Sequence, residues 1–142
     1  GTRAEAVARI QAAIKSGRSS VYQPIWNLLD GRPIGFEALA RFTAEPVRSP
    51  DQWFAEAASV GLGPDLELAA IETALAGLPS LPAPHYLALN ASPATVGDPR
   101  LAQLLVEMPL ERLVLEITEH DAIADVEAIN AALAPLRARK LR

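Results

Sequence analysis

From residue 85 to residue 138 short apolar runs alternate with stretches of helical spacing, and this alternation limits the fold more than any other feature of the chain. Residues 85–91 and 112–118 have strand length. Asp98-Pro99 opens a helical stretch carrying Leu101, Leu104, Leu105 and Met108, and residues 121–138 place Val126, Ile129, Leu133 and Leu136 on one helical side. Strands that alternate with helices pack as a parallel sheet covered by helices.

The segment before residue 85 extends the pattern. Residues 2–16 carry Val7, Ile10 and Ile14 at helical spacing and end at Gly17, a C-cap residue. Residues 20–29 and 33–41 read as two strands, and Asp30-Gly31 between them is a tight-turn signal that predicts a hairpin. Ser49-Pro50-Asp51-Gln52 is a capping-box helix start, followed by Trp53, Phe54, Ala57 and Val60 on an apolar face. Gly61 and Gly63 break that helix. Pro64 opens the next, striped by Leu68, Ile71, Leu75 and Leu78. The 12 prolines mostly punctuate these elements, with Pro79, Pro82 and Pro84 marking a connector. No inner boundary is evident, so residues 1–142 read as one unit.

The polar exceptions on the strands are the candidates for chemistry. Ile34, Phe36, Ala38 and Ala40 share one face of the second strand, and Gly35, Glu37, Leu39 and Arg41 share the other. Leu87 and Leu89 oppose Tyr86, Ala88 and Asn90. Leu113, Leu115 and Ile117 oppose Val114, Glu116 and Thr118. Each strand thus has an apolar face for helices, and a second face with a polar group toward its carboxyl end. In a barrel that second face looks inward, and barrels keep their chemistry at the carboxyl ends of the strands. Two carboxylates and an amide oxygen converging there suit a hard cation such as Mg²⁺ or Mn²⁺. Arg41, on the Glu37 face, adds a guanidinium suited to phosphate. Without a metal, Glu116 would instead be a barrel carboxylate satisfied by Arg41.

Composition excludes several classes. A net charge of -4 offers no basic field for a nucleic-acid polymer. No cysteine is present, so there is no disulfide scaffold, and a cytoplasmic setting is expected, either alone or as the cytoplasmic part of a larger membrane protein. No apolar run approaches the roughly 20 residues of a membrane span, and no signal peptide opens the chain.

Three segments carry a resemblance. Tyr22-Gln23-Pro24-Ile25 followed by Gly35-Phe36-Glu37-Ala38-Leu39-Ala40-Arg41, then Leu89-Asn90-Ala91-Ser92-Pro93, then Leu115-Glu116-Ile117-Thr118-Glu119, resemble in order and spacing the EAL-domain cyclic-di-GMP phosphodiesterases. The resemblance runs from about residue 3 to the last residue. It implies an α/β fold: the N-terminal half of a modified (β/α) TIM-type barrel with an antiparallel first strand, its strands and helices lying within 20–138. It implies hydrolysis of cyclic-di-GMP to linear pGpG with two Mg²⁺ or Mn²⁺ ions. Glu37, Asn90 and Glu116 would be metal ligands, Gln23, Leu39 and Arg41 would bind substrate, and Glu119 would be structural near the site. Ala40 stands where the family commonly has a bulkier apolar residue.

A complete (β/α) barrel needs about 250 residues, and the family's next Asp-Asp-Phe-Gly segment does not occur in this chain. No catalytic set is therefore complete in it. The chain alone is expected to be inactive and to self-associate, as a homodimer or larger, through unfinished barrel edges. A fused sensor or diguanylate cyclase domain would lie outside it. The competing readings are a non-catalytic cyclic-di-GMP receptor and a protein-interaction module. Asn90 and Ser92 also suit a turn or cap before Pro93, Glu119 and Asp121 a helix start, and His85 and His120 ordinary loop positions. Trp26, Trp53 and Phe54 read as packing, and Arg137, Arg139, Lys140 and Arg142 as the charged end of a helix.

Overall fold

A computed structural model describes residues 2–118 and 126–142. Helix α1 (Thr2–Lys15) leads into a hairpin of β1 (Arg18–Trp26) and β2 (Pro33–Phe42). Helices α2 (Pro50–Ser59) and α3 (Gly63–Ala76) follow, then β3 (Tyr86–Ala91), the short α4 (Pro93–Val96), α5 (Pro99–Leu105), β4 (Leu113–Ile117) and α6 (Val126–Ala138). The sheet order is β1-β2-β3-β4, with β1 antiparallel to β2 and the other pairs parallel.

The expected starts and stops are carried by identifiable hydrogen bonds. Gly17 turns the chain out of α1 at φ +78, a conformation that disfavours side chains. The Ser49 hydroxyl accepts from the Gln52 amide while the Gln52 side chain accepts from the Ser49 amide, completing the capping box. Asp98 caps α5 by accepting from Arg100. Strand β1 ends at Trp26, three residues earlier than the apolar pattern predicts. Asn27 accepts from Gly31 at its carbonyl and from Leu29 at its side chain, so residues 27–32 form a wider turn. Leu28 and Leu29 are thereby thrown outward, each 97% exposed. Trp26, expected to pack, is 54% exposed, because it stands on an edge strand beyond the register shift at Ile25/Trp26. The predicted start of the last helix at residues 121–125 lies outside the described residues.

Two apolar clusters meet along α3. Ile71, Leu75 and Leu78 join Leu87, Leu89, Leu101, Leu105, Leu113, Leu133 and Leu136 beneath the sheet. Leu66, one turn earlier, belongs with Ile10, Trp53 and Ala57 between α1, α2 and α3. The hairpin is fastened to the same helix: the Tyr22 hydroxyl donates to the Ala74 carbonyl at 2.7 Å, and Arg18 Nε donates to Thr73 Oγ1 at 3.2 Å. Gly77 leaves the space that the Tyr22 hydroxyl fills, since a Cβ there would overlap it. Beyond β4, Arg142 donates its amide to the Leu113 carbonyl and accepts from the Leu115 amide, a parallel strand pairing at the outer edge of the sheet. No helix among the described residues is long and apolar enough to cross a membrane.

The α1–α2 contact is sealed by charge. Glu56 accepts from Arg9 at two oxygens, both at 3.0 Å, and from Arg48 at 2.9 Å, and Arg48 lies 4.1 Å from the Trp53 ring centroid. The Arg9 and Arg48 hydrogen bonds hold the Glu56 carboxyl at about 2. A carboxyl depressed on folding binds protons more readily when unfolded, so it stabilises above its ordinary value and loses that contribution as pH falls. Thermal melts are therefore expected to weaken between about pH 4.5 and about 2, and Glu56→Gln is expected to flatten that slope.

Candidate metal and nucleotide site

The parallel register assembles the three strand-borne ligand candidates. Glu37 lies opposite Ala88, and Asn90 lies opposite Glu116. Asn90 Nδ2 donates to Glu37 Oε2 at 3.3 Å, which leaves the Asn90 oxygen free to face a cation. Partial desolvation, and secondarily the negative charge of Glu37, push the carboxyl of the largely exposed Glu116 above its ordinary value. None of the ion pairs among the described residues neutralises Glu37 or Glu116. Two carboxylates from neighbouring strands, with an amide oxygen between them, form a donor set that fits a hard divalent cation.

The position of Glu37 differs from the expected strand end. Strand β2 continues five residues past it to Phe42, because β1 pairs along its whole length. The ladder with β3, however, covers only Gly35–Glu37, so Glu37 stands at the end of the parallel part. Below it, Gly35 sits opposite Tyr86, whose ring lies 2.7 Å from where a Cβ would project. Only glycine leaves room for that ring on the inward face.

The substrate-side candidates fall around this centre. Gln23 is the antiparallel neighbour of Glu37, Val21 of Leu39, and Ser19 of Arg41. Gln23 and Arg41 are exposed and Leu39 is half-buried. Arg41 donates to the neighbouring Ala40 carbonyl at 2.8 Å and makes no ion pair with Glu37 or Glu116, so the reading in which it satisfies Glu116 finds no support. Glu119, His120 and Asp121 lie outside the described residues. His85 tilts against Phe36, in keeping with an ordinary packing role. Among the described residues no cluster of three or more His, Cys, Asp or Glu side chains gathers.

One residue at the site escaped the sequence pattern. Glu67 Oε1, from α3, accepts the Ser92 amide at 2.6 Å, immediately after β3. Its two neighbours Leu66 and Leu68 are buried, so the only sequence signal was a carboxylate between two core positions.

The family profile of the EAL domain matches residues 7–142. The chain belongs to the EAL domain family. Several solved EAL structures share its fold. The EAL domain of Xanthomonas citri FimX, in complex with c-diGMP, superposes with a TM-score of 0.81 at 22% identity, over 99% of this chain and 59% of that one. PaMucR phosphodiesterase in its c-di-GMP complex gives 0.74 at 24% identity, over 96% and 61%. Klebsiella pneumoniae BlrP1 with manganese and cy-diGMP gives 0.72 at 24%, over 89% and 34%. No curated protein matches the sequence. The chain spans about 60% of the first of these solved chains, and its four-stranded sheet is a partial barrel of the EAL type.

The two carboxylates of this EAL chain are expected to report on each other. Glu37→Gln removes the repulsion but not the burial, so the Glu116 carboxyl should titrate lower than in the unaltered chain yet remain above its ordinary value, as read by ¹³C carboxyl NMR.

Proposed function

We propose that this EAL domain serves metal-dependent hydrolysis of cyclic-di-GMP to linear pGpG, with residues 1–142 as its N-terminal portion. The observation that carries the reading is the Glu37–Asn90–Glu116 group, whose oxygens are free of any cationic side chain among the described residues. These three residues would hold Mg²⁺ or Mn²⁺. When bound, such an ion supplies an acidified water and charge neutralisation at phosphorus. Solved relatives with cyclic-di-GMP, one of them with manganese, support the same chemistry.

The chain's own residues would bind and orient. Gln23, beside Glu37, and Leu39 offer amide and apolar contacts to a nucleotide, and the exposed Arg41 guanidinium offers a paired donor to a phosphate oxygen. Glu119, outside the described residues, would be structural near the site. We place the domain in the cytoplasm, where a nucleotide messenger is available, next to a fused sensor or diguanylate cyclase domain. The alternative reading is a receptor that binds cyclic-di-GMP without turnover.

In the natural polypeptide carrying these residues, pGpG formation should require Mn²⁺ or Mg²⁺ and should fall to the metal-free level in Glu37→Ala. Binding without turnover selects the receptor. Neither binding nor turnover sinks both readings. The 142-residue chain alone should form no pGpG.

Edge geometry supports self-association as well. The outer edge of β1 is unpaired among the described residues, and its Val21 and Trp26 are 46% and 54% exposed. Such edges recruit further strands. Sedimentation velocity of the 142-residue chain is expected to show concentration-dependent dimers, and a single monomer boundary at high concentration would contradict this.

A further inference from the structure

The peptide unit joining Ala91 to Ser92 is held from both ends. Its carbonyl accepts from the Thr118 amide at 2.9 Å and from the Thr118 hydroxyl at 3.4 Å. Its N–H donates to Glu67 Oε1 at 2.6 Å. In a trans peptide the two groups point opposite ways, so the N–H faces away from β4, toward the side where β2 ran. Strand β2 has already parted from β3 there, since the ladder ends at Glu37 opposite Ala88. The carboxylate of Glu67 occupies the place of the missing strand acceptor.

The consequences run to the site. Asn90 lies one residue before this peptide, and Glu116 lies two before Thr118. A change in the tilt of the peptide alters the end of β3 relative to both β2 and β4, and with it the Asn90–Glu37 hydrogen bond. Glu67 is well placed to resist that change. It is flanked by Leu66 and Leu68, which anchor α3 in the two different apolar clusters. Ser92 also caps α4 through its hydroxyl and the Thr95 amide, so the same residue fixes the exit of the chain from the strand.

We infer that Glu67 is a positioning residue for the metal site: through the Ser92 amide it sets the orientation of Asn90 toward Glu37 and Glu116. The inference rests on the metal reading of those three residues, but the orientation of Asn90 can be read without metal. A part-buried amide left without its acceptor costs free energy, and supporting residues behind metal ligands typically change affinity by about 10–100-fold.

The test uses the ¹⁵N-labelled 142-residue chain. Without metal, Glu67→Ala should move the Ser92 amide proton upfield and bring the Asn90 side-chain NH₂ pair toward the shifts and mobility of a free amide. Glu67→Gln, which keeps an acceptor oxygen, should restore both. If Glu67→Ala does not fold, Glu67→Asp carries the test, because its shorter side chain should shift the Asn90 signals partway with little change in melting temperature. Unmoved Asn90 side-chain signals in Glu67→Ala, or in Glu67→Asp where that variant stands in, overturn the inference, whatever happens to stability. In a second arm, Mn²⁺ should broaden the Asn90 signals, and Glu67→Ala should need about tenfold more Mn²⁺ for the same effect. Equal Mn²⁺ demand in the two chains counts against Glu67. Absence of any Mn²⁺ effect, unaltered chain included, counts against the metal reading, while the metal-free signals still decide the role of Glu67.

Discussion

Everything at the site depends on the register of three parallel strands. Strand β3 is buried almost throughout, with Leu87, Leu89 and Ala91 fixed in the core, so its polar residue can only be where the pleat puts it. A slip of one residue against β4 would send Glu116 into the leucine layer and Leu115 to the mouth. The apolar face therefore specifies the polar one. The two carboxylates, neither in an ion pair among the described residues, stay near each other because the same ladder cannot be rearranged without uncovering Leu87 and Leu113.

Helix α3 is the second constraint. It contacts both apolar clusters, holds the hairpin through Tyr22 and Arg18, and reaches the end of β3 with Glu67. Its inward face is accordingly fully buried: Leu66, Leu68, Ala69, Ile71, Ala74 and Leu75. The two glycines around it have different jobs. Gly63 opens the helix in ordinary contact with Ala58, and Gly77 ends it beneath the Tyr22 ring.

What the sequence made legible is local. The capping box at Ser49, the Asp98 cap, the leucine stripes of α3 and α5 and the strand faces all follow from residues within one or two turns of each other. Glu37, Asn90 and Glu116 were legible because period-two alternation isolates a polar residue on an otherwise apolar strand. The remainder was hidden by distance along the chain. Glu67 meets Ser92 across 25 positions, and Glu56 meets Arg9 across 47, with no local pattern to announce either. The end of β1 was misplaced because Leu28 and Leu29 look like strand residues, whereas the Asn27 side chain competes for the backbone and turns it. Four-residue α4 is too short for periodicity to register, although Ser92-Pro93 is its capping signal.

Strand order in the sheet is the same as strand order along the chain. Each strand therefore adds beside the one made before it, and no strand must be inserted between two that are already paired. The first closure, the β1–β2 hairpin, spans a short loop, and each later one spans a connection with two helices, α2 and α3 before β3, α4 and α5 before β4. Loop-closure entropy rises only slowly with such spans, but the parallel pairings still join residues far apart in sequence, Gly35 with Tyr86 and Leu87 with Leu113, and such pairings form more slowly than the hairpin. The sheet can grow in one direction as the polypeptide emerges, with β4 leaving its outer edge ready for the backbone that Arg142 already brings to it.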